Sequence, residues 1–257
     1  MTGLPEIAGE QLAGFVLVLA RIGGLFFFAP IFSSRLIPAR AKFMAAAALS
    51  LAMTPLAMGA GPIPTEPIAL AALLVKEVIV GLAIALALGV VAAAVHAGAS
   101  IVDAVGGFAF ASLVDPFTNM QGSPFAQLYA MFATMILLVS GGDHIMIQGL
   151  ARSYDLVPID AALNFSRMAD LALTGIAEVF VIGLEVVAPV LLALVLTDMA
   201  LGLISRAVPQ MNVFFVGIPA KILVAFGVAA ASLPFVALRL QEALGEAVVR
   251  ALEVMSP

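Results

Sequence analysis

The sequence has no cysteine, two histidines and few charges, with Asp, Glu, Lys and Arg together making up 11% of its 257 residues. Without cysteine, disulfides, thiol catalysis and thiolate metal sites are excluded. His96 and His144 alone leave little for a metal centre. The 11 basic residues are outnumbered by 16 acidic ones, for a net charge of −5. They form no basic run of the kind that neutralises nucleic-acid phosphates. Neither a G-x-S-x-G elbow nor an H-E-x-x-H zinc motif occurs. No Lys or Arg precedes Arg21, whereas Glu6 and Glu10 do. A cleaved signal peptide wants a basic start, so the first apolar segment is expected to be retained in the membrane.

Apolar residues fill the space the charges leave. The chain is 63% hydrophobic, with a mean hydropathy of +1.19. A soluble domain is about 45–50% apolar and about 25% charged. A water-soluble globule of this size could not hide so much apolar surface. Lipid, or a large protein assembly, must solvate much of it.

About six apolar segments are expected. Leu12–Ala29, interrupted only by Arg21, would be about 27 Å long as a helix, close to a bilayer core of about 30 Å. Pro30 ends it, and a connector with Arg35, Pro38, Arg40 and Lys42 leads to Phe43–Met58. After a Gly/Pro-rich stretch, Ile68–Val95 would run about 42 Å, longer than a bilayer needs. Phe125–Ser140 is short at about 24 Å, and Ala169–Ser205 is overlong at about 55 Å, with Pro189 expected to kink or split it. Val213–Leu238 is a good span. The tail from Arg239 alternates charged and apolar residues at helical spacing, as in an interfacial or capping helix. Lengths that fit a bilayer badly suggest hairpins, re-entrant pieces or neighbouring subunits in place of lipid. The positive-inside rule would put the Arg35–Lys42 connector in the cytoplasm, but Arg152 and Arg167 then fall outside. Orientation stays open.

Charges within apolar runs are functional candidates, because lipid makes them costly. They are Arg21, Lys76, Glu77, Glu178, Glu185, Asp198, Arg206 and Lys221. Glu178 and Glu185 share a helical face, and a proton or cation path is one reading. Pairing of each charge with an opposite charge nearby is the plainer one. Lys76 and Glu77, adjacent in sequence, point about 100° apart on a helix and call for different partners. His96 and Asp103, seven apart, could form a pH-sensitive pair or be unrelated; the glycines around them weaken a continuous helix there. Gly141-Gly142-Asp143-His144 reads as a tight turn. Gly89, Ala93 and Ala97 offer a small-residue face for close packing, a pattern common in any alanine-rich chain.

The stretch Gly98–Pro124, GASIVDAVGGFAFASLVDPFTNMQGSP, reads as the least helical part. It has no Lys or Arg and mixes glycine and proline with Phe108, Phe110, Phe117 and Met120. An exposed apolar loop needs something to pack against.

Three islands carry a family resemblance: ARIGGLFFFAPIFSSRLIPARAK (Ala20–Lys42), GASIVDAVGGFAFASLVDP (Gly98–Pro116) and DMALGLISRAVPQMNVFFVGIPAK (Asp198–Lys221). In this order they resemble the FliR family of flagellar type III export-gate proteins, whose injectisome counterparts are called SctT. The third island is the most specific, with Asp198, Gly202, Arg206, Pro209, Gln210, Asn212, Phe214, Gly217, Pro219 and Lys221 at the family's spacing. Arg21, Pro30 and Pro38 belong to the first.

The resemblance implies an all-α membrane protein of helical hairpins, a FliP-like unit joined to a FliQ-like unit over residues 1–257, ending in an amphipathic tail at 239–257. It implies a non-enzymatic subunit without cofactor, set in the bacterial inner membrane at the flagellar basal body. Its partners would be FliP-like and FliQ-like gate subunits, FlhB-like and FlhA-like proteins, and unfolded flagellar export substrates. Such a gate stands largely above the bilayer plane, which would account for the ill-fitting lengths. The resemblance also implies a pore plug at residues 106–124, including Gly106, Gly107, Phe108, Phe110, Asp115, Pro116 and Met120. Methionine can reseal around varied chains, and a ring of apolar side chains can bar ions by dewetting. A buried apolar loop packed on its neighbours is the alternative. An injectisome gate, a secondary transporter and, last, a membrane enzyme are the rival functions; no inverted repeat or convergent catalytic cluster is evident.

Overall fold

The structure, a computed structural model, describes residues 3–29, 32, 37–58, 63–64, 66–108, 124–139, 141–161 and 165–255. Among them it is α-helical, with no strand. Seven helices follow in order: α1 (Gly3–Phe28), α2 (Ala39–Ala57), α3 (Pro67–Gly106), α4 (Pro124–Val139), α5 (Gly142–Leu156), α6 (Phe165–Ala207) and α7 (Val213–Met255). Runs of Ala, Leu, Val and Ile favour helix where lipid offers the backbone no alternative partner. Prolines mark starts where a missing N–H costs nothing, at Pro67 of α3 and Pro124 of α4.

Four helices are long and apolar enough to cross a membrane: α1, α3, α6 and α7. Counting α4 with α5 as one interrupted span makes five, and the chain is a multi-pass membrane protein. The expected six segments reduce to this number because α2, rich in alanine and opening on Arg40 and Lys42, is not among the spanning helices.

Three expectations about continuity are corrected. The helix expected to weaken at Gly98 runs 40 residues to Gly106, about 60 Å if straight. Helix α6 is one element of 43 residues with Pro189 inside it, not two arms. The tail from Arg239 is the end of the 43-residue α7, not a separate helix. Its residues Leu240, Leu244, Val248 and Leu252 are buried, one per turn, a packing stripe along one face of this end of the helix.

The chain divides into two compact units. The first comprises residues 1–90, 141–175 and 244–257; the second comprises 91–140 and 176–243. Helices α3, α6 and α7 contribute to both. In the first unit α1 packs along α2, and α2 meets α5. Helices α1 and α3 touch at glycine: a side chain at Gly81 would strike the carbonyl of Arg21, and one at Gly24 would lie 3.1 Å from the Gly81 backbone. In the second unit α3 and α6 meet the same way, a side chain at Gly98 striking the carbonyl of Gly183. Gly89, in the small-residue pattern expected from sequence, has nothing within 4 Å of where its side chain would be.

Candidate functional site

Five of the charges inside the apolar helices fall into two clusters, one in each unit. In the first unit, the close approach at Gly81 brings α1 against α3 one turn beyond Glu77. Arg21 and Glu77 are fully buried there and joined twice, Nε to Oε2 at 2.6 Å and Nη2 to Oε1 at 2.9 Å. Nη1 donates to the carbonyl and hydroxyl of Ser153, both at 3.0 Å, and Nη2 also donates to the Val157 carbonyl at 2.8 Å. The ring of Tyr154 covers the guanidinium at 4.1 Å. All five N–H donors of the guanidinium are used, and the planar fork suits this two-point pairing. The Tyr154 hydroxyl is buried and makes no hydrogen bond among the described residues.

Lys76 goes elsewhere, donating to the carbonyls of Pro158 at 2.6 Å and Ile159 at 2.7 Å, with Glu77 Oε1 at a looser 3.8 Å. The two adjacent residues therefore serve different main partners, as expected.

The second unit holds most of the remaining candidates. Lys221 of α7 pairs with Asp198 of α6 at 2.5 Å, and Nζ also donates to the Val105 carbonyl at 3.2 Å. Val105 lies in the last turn of α3, where carbonyls lack helical partners and a cation is favoured. Helix α3 then stops in a glycine turn. Gly107 has φ +79°, and the Phe108 N–H donates back to the Asp103 carbonyl at 3.1 Å, a six-to-one closure that glycine permits at low cost. The Phe108 ring packs on Phe125 and Phe226, each at 5.8 Å between centroids, and Phe125 stacks on Tyr129 at 5.3 Å. Beside this turn lies a groove of about 310 Å³, lined by Gly106, Gly107, Asp198, Gly202, Gly217 and Lys221 with Leu201, Val213, Phe214 and Ile218. Residues of the second and third sequence islands thus meet in one place.

Other candidates lie apart from it. Arg206, Pro209 and Gln210 are exposed past the groove-lining part of α6. Asn212 heads α7, its Oδ1 accepting the Phe214 N–H at 3.1 Å. Pro219 lies within α7, and Pro38, exposed, precedes α2. Arg21 belongs to the first unit. Pro30, Phe110, Asp115, Pro116 and Met120 lie outside the described residues. Glu185 bonds Arg239 at 2.7 Å, an ion-paired acid of α6. His96 is exposed and Asp103 buried, and the Asp103 carboxylate is taken by the α4 amides, so the seven-residue spacing reflects no pair. Gly141, with φ +76°, makes the turn before α5, where His144 hydrogen-bonds Gln148 at 2.8 Å.

Sequence reasoning missed the Arg21–Glu77 partnership, the backbone role of Asp103 and the Phe125–Phe226 platform. A signal for the helix stop was present in Gly106-Gly107. None in the sequence pairs Arg21 with a residue 56 positions away. Among the described residues no group of three or more His, Asp or Glu could hold a metal ion.

A multi-pass α-helical membrane protein with an ion-paired cluster in each unit is the class these observations define. Its sequence matches the bacterial export proteins, family 1, over residues 12–247. It is 33% identical to the flagellar biosynthetic protein FliR of Bacillus subtilis, over 84% of this chain and 85% of that one. It is 30% identical to FliR of Escherichia coli K12, over 85% and 84%. Similarity extends to the surface presentation of antigens protein SpaR of Salmonella typhimurium, at 30% identity over 82% and 79%. The chain belongs to this export-protein family, the FliR/SctT family.

Proposed function

We propose that the chain is a core subunit of a flagellar type III protein export gate, set in the bacterial inner membrane at the basal body. With FliP-like and FliQ-like subunits it would form the channel through which unfolded flagellar subunits cross, FlhB-like and FlhA-like proteins completing the apparatus. Its role is mechanical and needs no catalysis: hold a narrow pore closed, then yield to a polypeptide. The observation that carries this reading is the junction in the second unit. Both stems of the segment between α3 and α4 are anchored there, beside a groove built from the island most specific to the family. We assign the segment from Gly106 to Pro124 as the plug, with Phe110, Asp115, Pro116 and Met120 in it.

Two experiments test this. Deleting the chain's gene should abolish secretion of flagellar subunits and motility, with restoration by the intact gene; retained secretion overturns the reading. Shortening Gly107–Met120 in an assembled gate should make the membrane leaky to small solutes, and unchanged permeability would count against the plug. Similarity to proteins named SpaR keeps an injectisome gate as the second reading. Loss of effector secretion with motility intact would favour it.

A further inference from the structure

We propose that Asp103 is a positioning residue that ties the end of α3 to the start of α4, fixing the separation of the two stems. Asp103 is 1% exposed and uses every acceptor it presents to these stems. Its main-chain carbonyl takes the Phe108 N–H at 3.1 Å, on the outgoing stem. Its carboxylate takes both the Phe125 N–H on Oδ1 at 3.1 Å and the Ala126 N–H on Oδ2 at 2.9 Å, on the returning stem.

The chemistry of the α4 start explains why a carboxylate serves. The first four N–H groups of a helix have no internal partner. Pro124 has no N–H to satisfy, and the next two amides point the same way, at the positive end of the helix dipole. A side chain nearby in sequence normally accepts them. Here the acceptor comes from 22 and 23 residues upstream, on another helix. A helix cap thereby becomes a tertiary tie. The Phe108–Phe125 stack and their shared contact with Phe226 lie on the same joint, and Lys221 donates to the Val105 carbonyl.

Two oxygens facing two N–H donors make a demand that asparagine cannot meet. Its amide nitrogen would face a backbone donor, so D103N should keep one bond and set donor against donor at the other. Glutamate keeps both oxygens and should rescue in part.

The chain's lack of cysteine makes the test clean. Ala104 and Gln127, exposed neighbours of the tie on either stem, are replaced by cysteine and labelled with nitroxides in the full chain, assembled with its gate partners in nanodiscs. Electron–electron resonance should give one narrow distance distribution with Asp103 present. Its width should roughly double in D103A and D103N and fall back in D103E, as expected when a local tie opens. D103N preserves size and keeps one amide bonded, so it reports on the tie where D103A fails to accumulate. A distribution in D103N as narrow as with Asp103 overturns the proposal.

The effect on permeability rests on the plug assignment above and is read separately. Stems that loosen while the membrane stays tight leave the tie standing and sink the plug. Stems that stay fixed sink the tie, whatever the leak.

Discussion

The two polar clusters of this protein use the same kinds of residue to opposite ends. Around Arg21 and Glu77 of the first unit both side chains are fully buried, every guanidinium N–H is bonded, and an aromatic ring closes the top. Around Lys221 and Asp198 of the second unit the pair is 18% and 44% exposed, and it borders an open groove. A buried pair in low dielectric must be held in one geometry, because either partner left alone is a bare buried charge. A pair left half-open by its own chain has room to part and re-form, at little net cost where the groove holds water. The first cluster is a lock on the fold and the second is a joint, and the joint stands beside the stems proposed to carry the plug. Intramembrane charge is therefore a poor pointer to function until its exposure is known.

The largest expected effect tests the lock. Arg21→Ala or Glu77→Ala should each destabilise the protein by about 3–5 kcal/mol, since each leaves a buried charge without its partner. The double replacement Arg21→Met with Glu77→Leu should cost less than either single change. Thermal unfolding in detergent, with accumulation in membranes, measures both. Single variants that melt with the parent would mean the cluster is wet and the comparison wrong.

Next come the glycine crossings. Gly81→Val and Gly98→Val force a helix backbone to move, a cost of about 1–3 kcal/mol or more. Gly89→Ala is the control: with nothing near the new methyl, better helix propensity should make it neutral or stabilising by up to about 1 kcal/mol. Equal losses at all three positions would show that the close approaches at Gly81 and Gly98 do not set the cost.

Much of the fold is legible in the sequence. Continuous apolar runs specify helices, and the overlong runs Ile68–Val95 and Ala169–Ser205 lie in helices of 40 and 43 residues. Boundaries failed where tertiary contact overrode local preference. Gly98 reads as a weak point for a helix, yet it is helical because the bare backbone admits Gly183. Pro189 reads as a kink or a split, and α6 continues through it as one helix. Asp103 stands out as a candidate, either paired with His96 or unrelated to it, because helical spacing reveals only neighbours on its own helix. Its real partners are backbone amides, which carry no residue identity. The family islands marked the junction residues Asp198, Gly202, Gly217 and Lys221, which the fold gathers at Gly106 and Gly107.

A smaller effect separates local strain from position. Gly107 and Gly141 both have positive φ, and neither would bring a new methyl within 4 Å of another group. Alanine at either should cost about 1–2 kcal/mol from backbone conformation alone. Gly107 roots the stem in the second unit, whereas Gly141 turns the chain into α5 in the first. Equal shifts in melting with a leak only from Gly107→Ala would assign gating to the joint. A leak from both would mean that general loosening suffices.

The smallest expected change in stability sits at the joint itself. Lys221→Met and Asp198→Asn remove an ion pair that the chain itself covers only in part, so with water in the groove each should shift stability by only about 0–1 kcal/mol. Lys221→Met also strips the Val105 carbonyl of its donor, at the end of α3 that leads to Gly107. The two variants should therefore differ: Asp198→Asn leaves that stem held, and Lys221→Met does not. Ion flux through assembled gates should rise more in Lys221→Met, and the rise should be steeper at high salt in Asp198→Asn, where screening weakens what remains. Equal flux in both would tie gating to the salt bridge. Unchanged flux in both, with melting also unchanged, would reduce the joint to a surface pair and leave the stems to Asp103 and the aromatic stack.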